Sequence, residues 1–228
     1  MKIADHNSLM SELDSWVREM GNGEYIPQED SRAATNSGLL PDYGIQQVRE
    51  EISEFSKFLI NRGKNGSILE IGLGYFGSTH FLWRLLFDRV ATVESNHSRF
   101  LTFGKNTREY YKKWILDDGK SSFFGGFSSE PSIIERVYKS FKEGIDVLFI
   151  DADHSYGGIL SDWLIYAPLV KSGGIVAFHD LELDYDHDRG PKGFFEDLES
   201  GNVVPGKQFK LERILHSKYH GIGFYVKE

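Results

Sequence analysis

Two segments rich in acidic and histidine residues follow short apolar runs of the sequence. Asp151 and His154 come after the run VLFI, and His179-Asp180 comes directly after the run IVAF. Carboxylate oxygens suit Mg²⁺, whereas an imidazole ligand favours Mn²⁺, Fe²⁺ or Zn²⁺. We therefore predict a divalent-metal site formed by Asp151, His179 and Asp180. His154 is the candidate general base, and Asp151 completes the predicted catalytic pair.

The same residues also have structural interpretations. Asp151 could cap the helix that is predicted to begin near Tyr156 or hold a cofactor without any metal. His179 could hydrogen-bond its loop, and Asp153 is interpreted as a structural cap. No function is assigned to five other histidines, which are His6, His80, His97, His216 and His220.

A glycine-rich loop is the second group of residues that indicates chemistry. The segment SILEIGLGYFGST, which begins at Ser67, runs from a predicted strand through Gly72, Gly74 and Gly77 into a predicted helix. Glycines allow a tight turn and a close approach of the backbone to a ligand. The three glycines match a dinucleotide-binding pattern, and Glu94 after the next strand is placed to bind ribose hydroxyls.

Glu70 is expected to distinguish between two cofactors for this loop. Its negative charge, two residues before Gly72, would repel a pyrophosphate. The ammonium and sulfonium groups of S-adenosylmethionine would instead be attracted, so this cofactor is predicted over a nicotinamide dinucleotide. The alternative is that Glu70 only caps backbone amides of the loop.

The pattern Glu-x-Gly-x-Gly, with an acid after the second strand and a C-terminal hairpin, resembles class I S-adenosylmethionine-dependent methyltransferases over about residues 45–228. The loop is similar to those of small-molecule O-methyltransferases of the catechol, macrocin and cephalosporin-hydroxylase-like groups. The resemblance implies that Ser78 contacts the cofactor carboxylate and Ser128 the adenine. The predicted cofactor-binding residues are Glu70, Gly72, Gly74, Tyr75, Ser78, Glu94, Ser95, Ser128 and Asp151.

The resemblance also bears on the metal. Metal-dependent members of this family place ligands at the positions of Asp151 and Asp180 and a base at that of His154. They usually carry a third acidic or amide ligand beside Asp180, where this sequence has His179 and Leu181. This departure implies a different metal or none.

Short apolar runs alternate with helical segments from Ser67 onward, which predicts an α/β fold. We expect a doubly wound, Rossmann-like, seven-stranded sheet, mostly parallel with a C-terminal antiparallel hairpin. The predicted strands are Ser67–Ile71, Arg89–Val93, Ser121–Phe127, Asp146–Ile150, Ile175–Phe178, Phe209–Leu215 and Gly221–Val226. The predicted helices centre on Phe81–Phe87, Phe100–Tyr111, Ile133–Phe141, Ile159–Leu169 and Phe194–Leu198.

Residues 1–44 are predicted to form an N-terminal helical extension that includes a candidate lid at Pro27–Pro41. Residues 45–228 form the predicted methyltransferase domain, which begins with an amphipathic helix from Ile45 to Leu59. The segment Leu181–Pro191 and the lid are expected to shape the acceptor pocket.

Composition narrows the functional classes. The 228 residues include 26 basic and 34 acidic side chains, and the net charge of −8 argues against binding to nucleic acid or anionic membranes. Cysteine is absent, which excludes disulfides and thiolate chemistry and fits the cytoplasm. No apolar run approaches the roughly 20 residues that span a bilayer, and the N-terminus has no apolar signal core.

Methyl transfer to a hydroxyl of a small polar molecule, such as a sugar or natural product, is the predicted function. The expected partner is this acceptor. The oligomeric state is left open, with a homo-oligomer as one alternative. Three other functions remain open: an NAD(P)-dependent oxidoreductase, a binding module without chemistry, and a metal-dependent hydrolase or oxygenase. The last would use the cluster Asp151, His154, His179 and Asp180.

Overall fold

The computed structural model describes residues 5–20, 23–29, 44–63, 65–74, 76–95, 119–183, 189–205 and 207–228. Six α-helices lie within these ranges: α1 (His6–Glu19), α2 (Arg49–Asn61), α3 (Ser78–Leu86), α4 (Pro131–Ser140), α5 (Tyr156–Tyr166) and α6 (Gly190–Ser200). The strands are β1 (Ser67–Ile71), β2 (Arg89–Glu94), β3 (Ser121–Gly125), β4 (Ile145–Ile150), β5 (Val170–His179), β6 (Glu212–Ile214) and β7 (Ile222–Val226). Among the described helices, none has the length and apolar character needed to cross a membrane.

The seven strands form one sheet in the order β3-β2-β1-β4-β5-β7-β6. The first five are parallel, and β7 pairs antiparallel with both β5 and β6. The predicted fold class is therefore confirmed. Strand order reverses between β1 and β4, and ligands of open α/β sheets bind at the carboxyl ends of strands at such a reversal.

Several predicted boundaries need correction. The helix predicted from Ile45 begins only at Arg49, because residues 45–47 pair with the backbone of residues 24–26. Strand β5 begins at Val170, five residues before the predicted start, since the exposed residues 171–173 and the glycine at 174 interrupt the apolar pattern. Strand β3 ends at Gly125, before the turn at Gly126. The predicted helix Phe100–Tyr111 lies outside the described residues.

Both faces of the sheet are covered by helices. Ile68 and Val147 face a core that includes residues of α1, α2 and α3, whereas Leu69 and Leu148 face the core on the side of α4, α5 and α6. The division follows from the alternation of side chains along a strand. Helix α1 belongs to the first core, where the Trp16 ring stacks on Phe81 with their centroids 4.1 Å apart.

A polar cluster is buried inside the first core. Glu70 has no exposed surface, and its carboxylate accepts hydrogen bonds from Trp83 Nε1 at 3.0 Å and Thr92 Oγ1 at 2.7 Å. His80 Nδ1 lies 3.6 Å from the same carboxylate. Burial raises the pKa of Glu70, although the hydrogen bonds from His80, Thr92 and Trp83 oppose this shift. The cluster links β1, β2 and α3 through one acidic side chain.

We expect Glu70→Ala to destabilise the protein, because Trp83 and Thr92 would lose a buried acceptor. The loss of free energy of unfolding should be about 3 kcal/mol, as each buried donor left without a partner costs roughly 1–3 kcal/mol. Urea unfolding measures this change. Glu135→Ala, at an exposed position of α4, is the control and should change stability by less than about 0.5 kcal/mol. An equal, small effect of both substitutions would contradict the structural role of Glu70.

Candidate functional site

A cavity of about 610 Å³ lies at the reversal of strand order. Its walls are the segments that follow β1, β2, β3, β4 and β5, together with Ile26 and residues 44–46 from the N-terminal part of the chain. Its volume lies within the usual range for small-molecule sites. The glycine loop and the acidic and histidine cluster therefore open into the same space, as the sequence predicts.

Gly72 is required by the protein itself. Its φ is 94°, and a Cβ atom there would lie 1.9 Å from the carbonyl oxygen of Asp151. The backbone N–H of Asp151 in turn donates to Ile71 at 2.8 Å. Strands β1 and β4 can only end side by side here because position 72 has no side chain.

The N-terminus of α3 faces the cavity. Gly77 precedes the helix with a left-handed φ of 62°, and Ser78 and Thr79 begin it. Backbone N–H groups at a helix N-terminus attract anions such as a carboxylate. The hydroxyl of Ser78, however, donates to the carbonyl of Gly44 and accepts from Trp16 Nε1 at 3.0 Å. That hydroxyl therefore joins the cavity wall to the N-terminal part of the chain.

The remaining predicted cofactor residues have varied positions. Glu94, Ser95 and Ser128 line the cavity, and Glu94 Oε2 accepts the backbone N–H of Leu73 at 3.0 Å. Gly74 lines it as well, with a φ of 67°. Tyr75 lies outside the described residues.

The predicted role of Glu70 needs correction, because its side chain is not among the residues that line the cavity. Alternation along β1 directs Glu70 to the same face as Ile68, towards α3, where Trp83 and Thr92 bind its carboxylate. A ligand in the cavity does not meet this charge directly. The electrostatic argument for S-adenosylmethionine over a pyrophosphate is therefore wrong, and the cofactor class must rest on other observations.

The acidic and histidine residues do come together at the ends of β4 and β5. His179 Nδ1 lies 3.3 Å from both Asp151 Oδ1 and Asp180 Oδ1. His154 Nε2 lies 3.0 Å from Asp180 Oδ2 and 3.9 Å from Asp151 Oδ1. Asp180 adopts a φ of 58°, a left-handed conformation that is uncommon outside glycine. The structure thus unites the four residues that the sequence singled out.

Opposite charges set the pKa values in this cluster. Burial alone would lower the pKa of His179, but the negative charges of Asp180 and Asp151 raise it to about 9. Burial would likewise lower the pKa of His154, yet Asp180 and Asp151 hold it well above 6.5. The histidine charges keep the pKa of Asp180 well below its usual value despite burial. The two carboxylates therefore favour the protonated form of both imidazoles.

The structure shows whether Asp151 and Asp153 have the structural roles that the sequence left open for them. Helix α5 is capped by Ser155, whose hydroxyl accepts the N–H of Gly158 at 3.0 Å, so Asp151 is not the cap. Asp153 accepts the N–H of Ser155 at 2.9 Å, in keeping with its interpretation as a structural residue. Asp151 is left free to face the histidines.

Sequence reasoning missed two residues that contact the cluster. Gln47 Nε2 donates to Asp151 Oδ2 at 2.8 Å, and His220 Nδ1 lies 2.7 Å from Asp180 Oδ1. No local motif identifies them, since each is far along the chain from its partner. One signal was present for His220, because the predicted hairpin strand starts just after it. In the structure Ile222 of that strand pairs with His179.

Asp162 on α5 is a third missed residue. It lines the cavity with only 2% of its surface exposed. Burial raises its pKa to about 6, against a hydrogen bond from Ser128 that lowers it. A carboxyl group that titrates near neutral pH therefore lies on the same wall as Ser128.

Residues 69–181 match a family model described as a methyltransferase domain. The match begins in β1 and ends just after β5, so it contains the glycine loop and the acidic and histidine cluster. A stretch of 93 residues is also 39% identical to an uncharacterized protein of Acanthamoeba polyphaga mimivirus, and covers 41% of this chain. The aligned stretch spans about a third, 35%, of the length of that relative.

Solved structures share the fold at low sequence identity. An O-methyltransferase from Bacillus cereus in complex with SAH is 17% identical with a TM-score of 0.60, and the match covers 98% of this chain and 100% of that one. The O-methyltransferase NovP is 14% identical with a TM-score of 0.58, over 98% and 99% of the two chains. MycE, in complex with Mg, SAH and mycinamycin VI, is 15% identical with a TM-score of 0.54, over 82% of this chain and half of that one.

The domain match and the shared fold agree with the resemblance to S-adenosylmethionine-dependent methyltransferases that the glycine loop predicts. The resemblance inferred from the glycine loop is thereby confirmed, although the side chain of Glu70 faces Trp83 and Thr92 instead of the cavity.

We expect Asp162→Asn to stabilise the protein above pH 6 and to leave it nearly unchanged below pH 4. The folded-state pKa of about 6 exceeds the unfolded value of 3.8, so ionisation of Asp162 costs stability progressively between these values. The full effect above pH 6 is up to about 3 kcal/mol, from 1.36 kcal/mol per pKa unit. Thermal unfolding between pH 4 and 8 measures it. Destabilisation by Asp162→Asn at pH 8 would show that the carboxylate is instead compensated.

Proposed function

We propose that the protein transfers a methyl group from S-adenosylmethionine to a hydroxyl of a small polar molecule. One observation carries the proposal: the glycine loop with Glu94 and the pair His154–Asp180 open into the same cavity. One part of this cavity can hold a nucleoside cofactor, and another can hold and deprotonate an acceptor. The O-methyltransferase neighbours support the same reaction.

The proposed cofactor site uses the elements at the ends of β1 and β2. The carboxylate of Glu94 would accept hydrogen bonds from the ribose hydroxyls. The N–H groups that begin α3, at Ser78 and Thr79, would attract the cofactor carboxylate. Ser128 is proposed to contact the adenine. The remaining proposed contacts are Gly72, Gly74, Ser95 and Asp151, and Tyr75 stays a prediction.

His154 is the proposed general base. S-adenosylmethionine supplies an activated methyl group when bound, so the protein has to supply orientation and proton removal. As the acceptor oxygen forms its bond to the methyl carbon and the carbon–sulfur bond breaks, the hydroxyl proton would pass to His154 Nδ1, because Nε2 faces the carboxylate of Asp180. Asp180 Oδ2, 3.0 Å from Nε2, would stabilise the imidazolium. His154 must first lose the proton that Asp151 and Asp180 hold on it.

The residues present also fit a divalent cation, and we propose Asp151, His179 and Asp180 as its ligands. Donor atoms about 2.1 Å from one cation and at right angles lie about 3 Å apart. His179 Nδ1 has this spacing, at 3.3 Å, from an oxygen of each carboxylate. A cation there would lower the pKa of an acceptor hydroxyl.

A cytoplasmic location and a homo-oligomer stay predictions.

Calorimetric titration tests the cofactor. We expect S-adenosylhomocysteine to bind and NADH not to bind. Glu94→Ala should weaken the affinity for S-adenosylhomocysteine ten- to hundredfold, because a charged hydrogen bond contributes about 1.5–3 kcal/mol. Glu135→Ala is the matched control at an exposed position. Binding of NADH without S-adenosylhomocysteine would overturn the function.

A second experiment separates the base from the cofactor site. Once an acceptor is found by screening hydroxylated sugars and phenols for methyl incorporation, His154→Ala should lower kcat by about 10²–10⁴-fold. Affinity for S-adenosylhomocysteine should stay within about twofold, because the base acts on the acceptor. His216→Ala, at an exposed histidine, is the control. Equal losses in kcat and in cofactor affinity would rule out a base at His154.

A further inference from the structure

We propose that His220 is a ligand of the cation site, which therefore has two imidazole ligands and prefers first-row transition metals to Mg²⁺. This inference rests on the proposed function only in placing a cation in the same cavity. The proposed set is His179, Asp180 and His220, with Asp151 beside them. His220 comes from the loop before β7, far in sequence from the other residues of the site.

One carboxylate oxygen organises this set. Asp180 Oδ1 lies 2.7 Å from His220 Nδ1 and 3.3 Å from His179 Nδ1. One donor atom from each of the three residues lies within 4.8 Å of the others. The two imidazole rings are nearly parallel, at 11°, with their centroids 6.0 Å apart. These distances suit nitrogen and oxygen donors that share one ion.

The histidines also show a deficit of partners. The side chains of His179 and His220 are 2% and 1% exposed, and within the described part of the chain the Nε2 atom of each is buried without a hydrogen-bond partner. A buried polar atom without a partner costs free energy. An ion bound at Nδ1, together with a bound water at Nε2, would give both nitrogens of each ring a partner.

The loop that carries His220 is held by other groups. Glu51, buried in α2, accepts the backbone N–H of His216 at 2.9 Å and that of Gly221 at 3.0 Å. Its carboxylate also accepts the hydroxyl of Ser217 at 2.8 Å, and Ser217 accepts the N–H of His220. The His220 ring is therefore presented by a fixed backbone and is not itself needed to build the loop.

The two oxygens of Asp180 have separate neighbours. Oδ1 faces His179 and His220, whereas Oδ2 faces His154. The proposed base therefore lies outside the proposed ligand set. Two nitrogen ligands with carboxylates suit Mn²⁺, Fe²⁺, Co²⁺ or Zn²⁺, whereas Mg²⁺ favours oxygen ligands and bound water.

Cobalt provides a spectroscopic test with the whole protein. After dialysis against chelator, we expect one Co²⁺ per chain to bind at least about 100-fold more tightly than Mg²⁺, in line with nitrogen-containing sites. Visible d–d absorption and calorimetry measure this binding. A chain that binds Mg²⁺ as tightly as Co²⁺, or that binds neither, overturns the proposal.

The substitution His220→Asn separates a ligand from a positioning residue. The asparagine amide can still donate to Asp180 near the place of Nδ1, but it does not replace an imidazole ligand. Loss of the ligand should weaken Co²⁺ binding about 100-fold or more and alter the d–d bands, whereas an outer-shell partner typically costs 10–100-fold. Affinity for Mg²⁺ should change less than about threefold, since it favours oxygen ligands.

His216→Asn, on the same loop but exposed, is the matched control and should bind Co²⁺ like the wild type. His179→Asn should lose Co²⁺ binding like His220→Asn. Unchanged Co²⁺ affinity and spectrum in His220→Asn would refute the proposal. Titration with S-adenosylhomocysteine in the same samples reports the cofactor site separately, so failure of the proposed function is distinguished from failure of the metal inference.

Discussion

The close approach of the chain after β1 to the chain after β4 is the constraint on which the site depends. Gly72 has no side chain, so the carbonyl of Asp151 can pass against its Cα while Asp151 N–H binds Ile71. This contact leaves the cavity open between the two strands and presents Asp151 to it. The glycine is thus a packing requirement of the sheet before it is a contact for any ligand.

Charge balance governs the other wall. Asp180 is almost fully buried and would be costly as an isolated anion. Three imidazoles surround it, from His154, His179 and His220. These rings stabilise the ionised form of Asp180 and lower its pKa. The negative charge of Asp180 in turn raises the pKa values of His154 and His179. A cation that binds to Asp180 would therefore compete with the protons on these histidines.

The sequence was most informative where one local pattern determines the structure. Strand β1 was predicted from Ser67 to Ile71 as observed, because the apolar residues Ile68, Leu69 and Ile71 run directly into the glycine loop that ends the strand. The meeting of Asp151 with His179 followed from the parallel order of β4 and β5. These predictions needed only adjacent strands with a common direction.

The failures share a different cause. The motif around Glu70 gave its position in the strand but not its facing side, which Trp83 and Thr92 show to be the α3 side. Gln47 and His220 reach the site from distant segments, and their partners could be known only once the sheet was assembled. Sequence patterns therefore predicted the strands, and tertiary contacts decided which side chains reach the cavity.

The link between Ser78, Gly44 and Trp16 has a practical consequence for the N-terminal helix. Because Trp16 stacks on Phe81 and α1 shares a core with α2, this helix packs against the helix that follows the glycine loop. A shortened chain that starts at residue 45 would leave an apolar surface bare to water. Such a fragment would expose an apolar patch that promotes aggregation, and it would be a poor starting point for crystallisation or engineering.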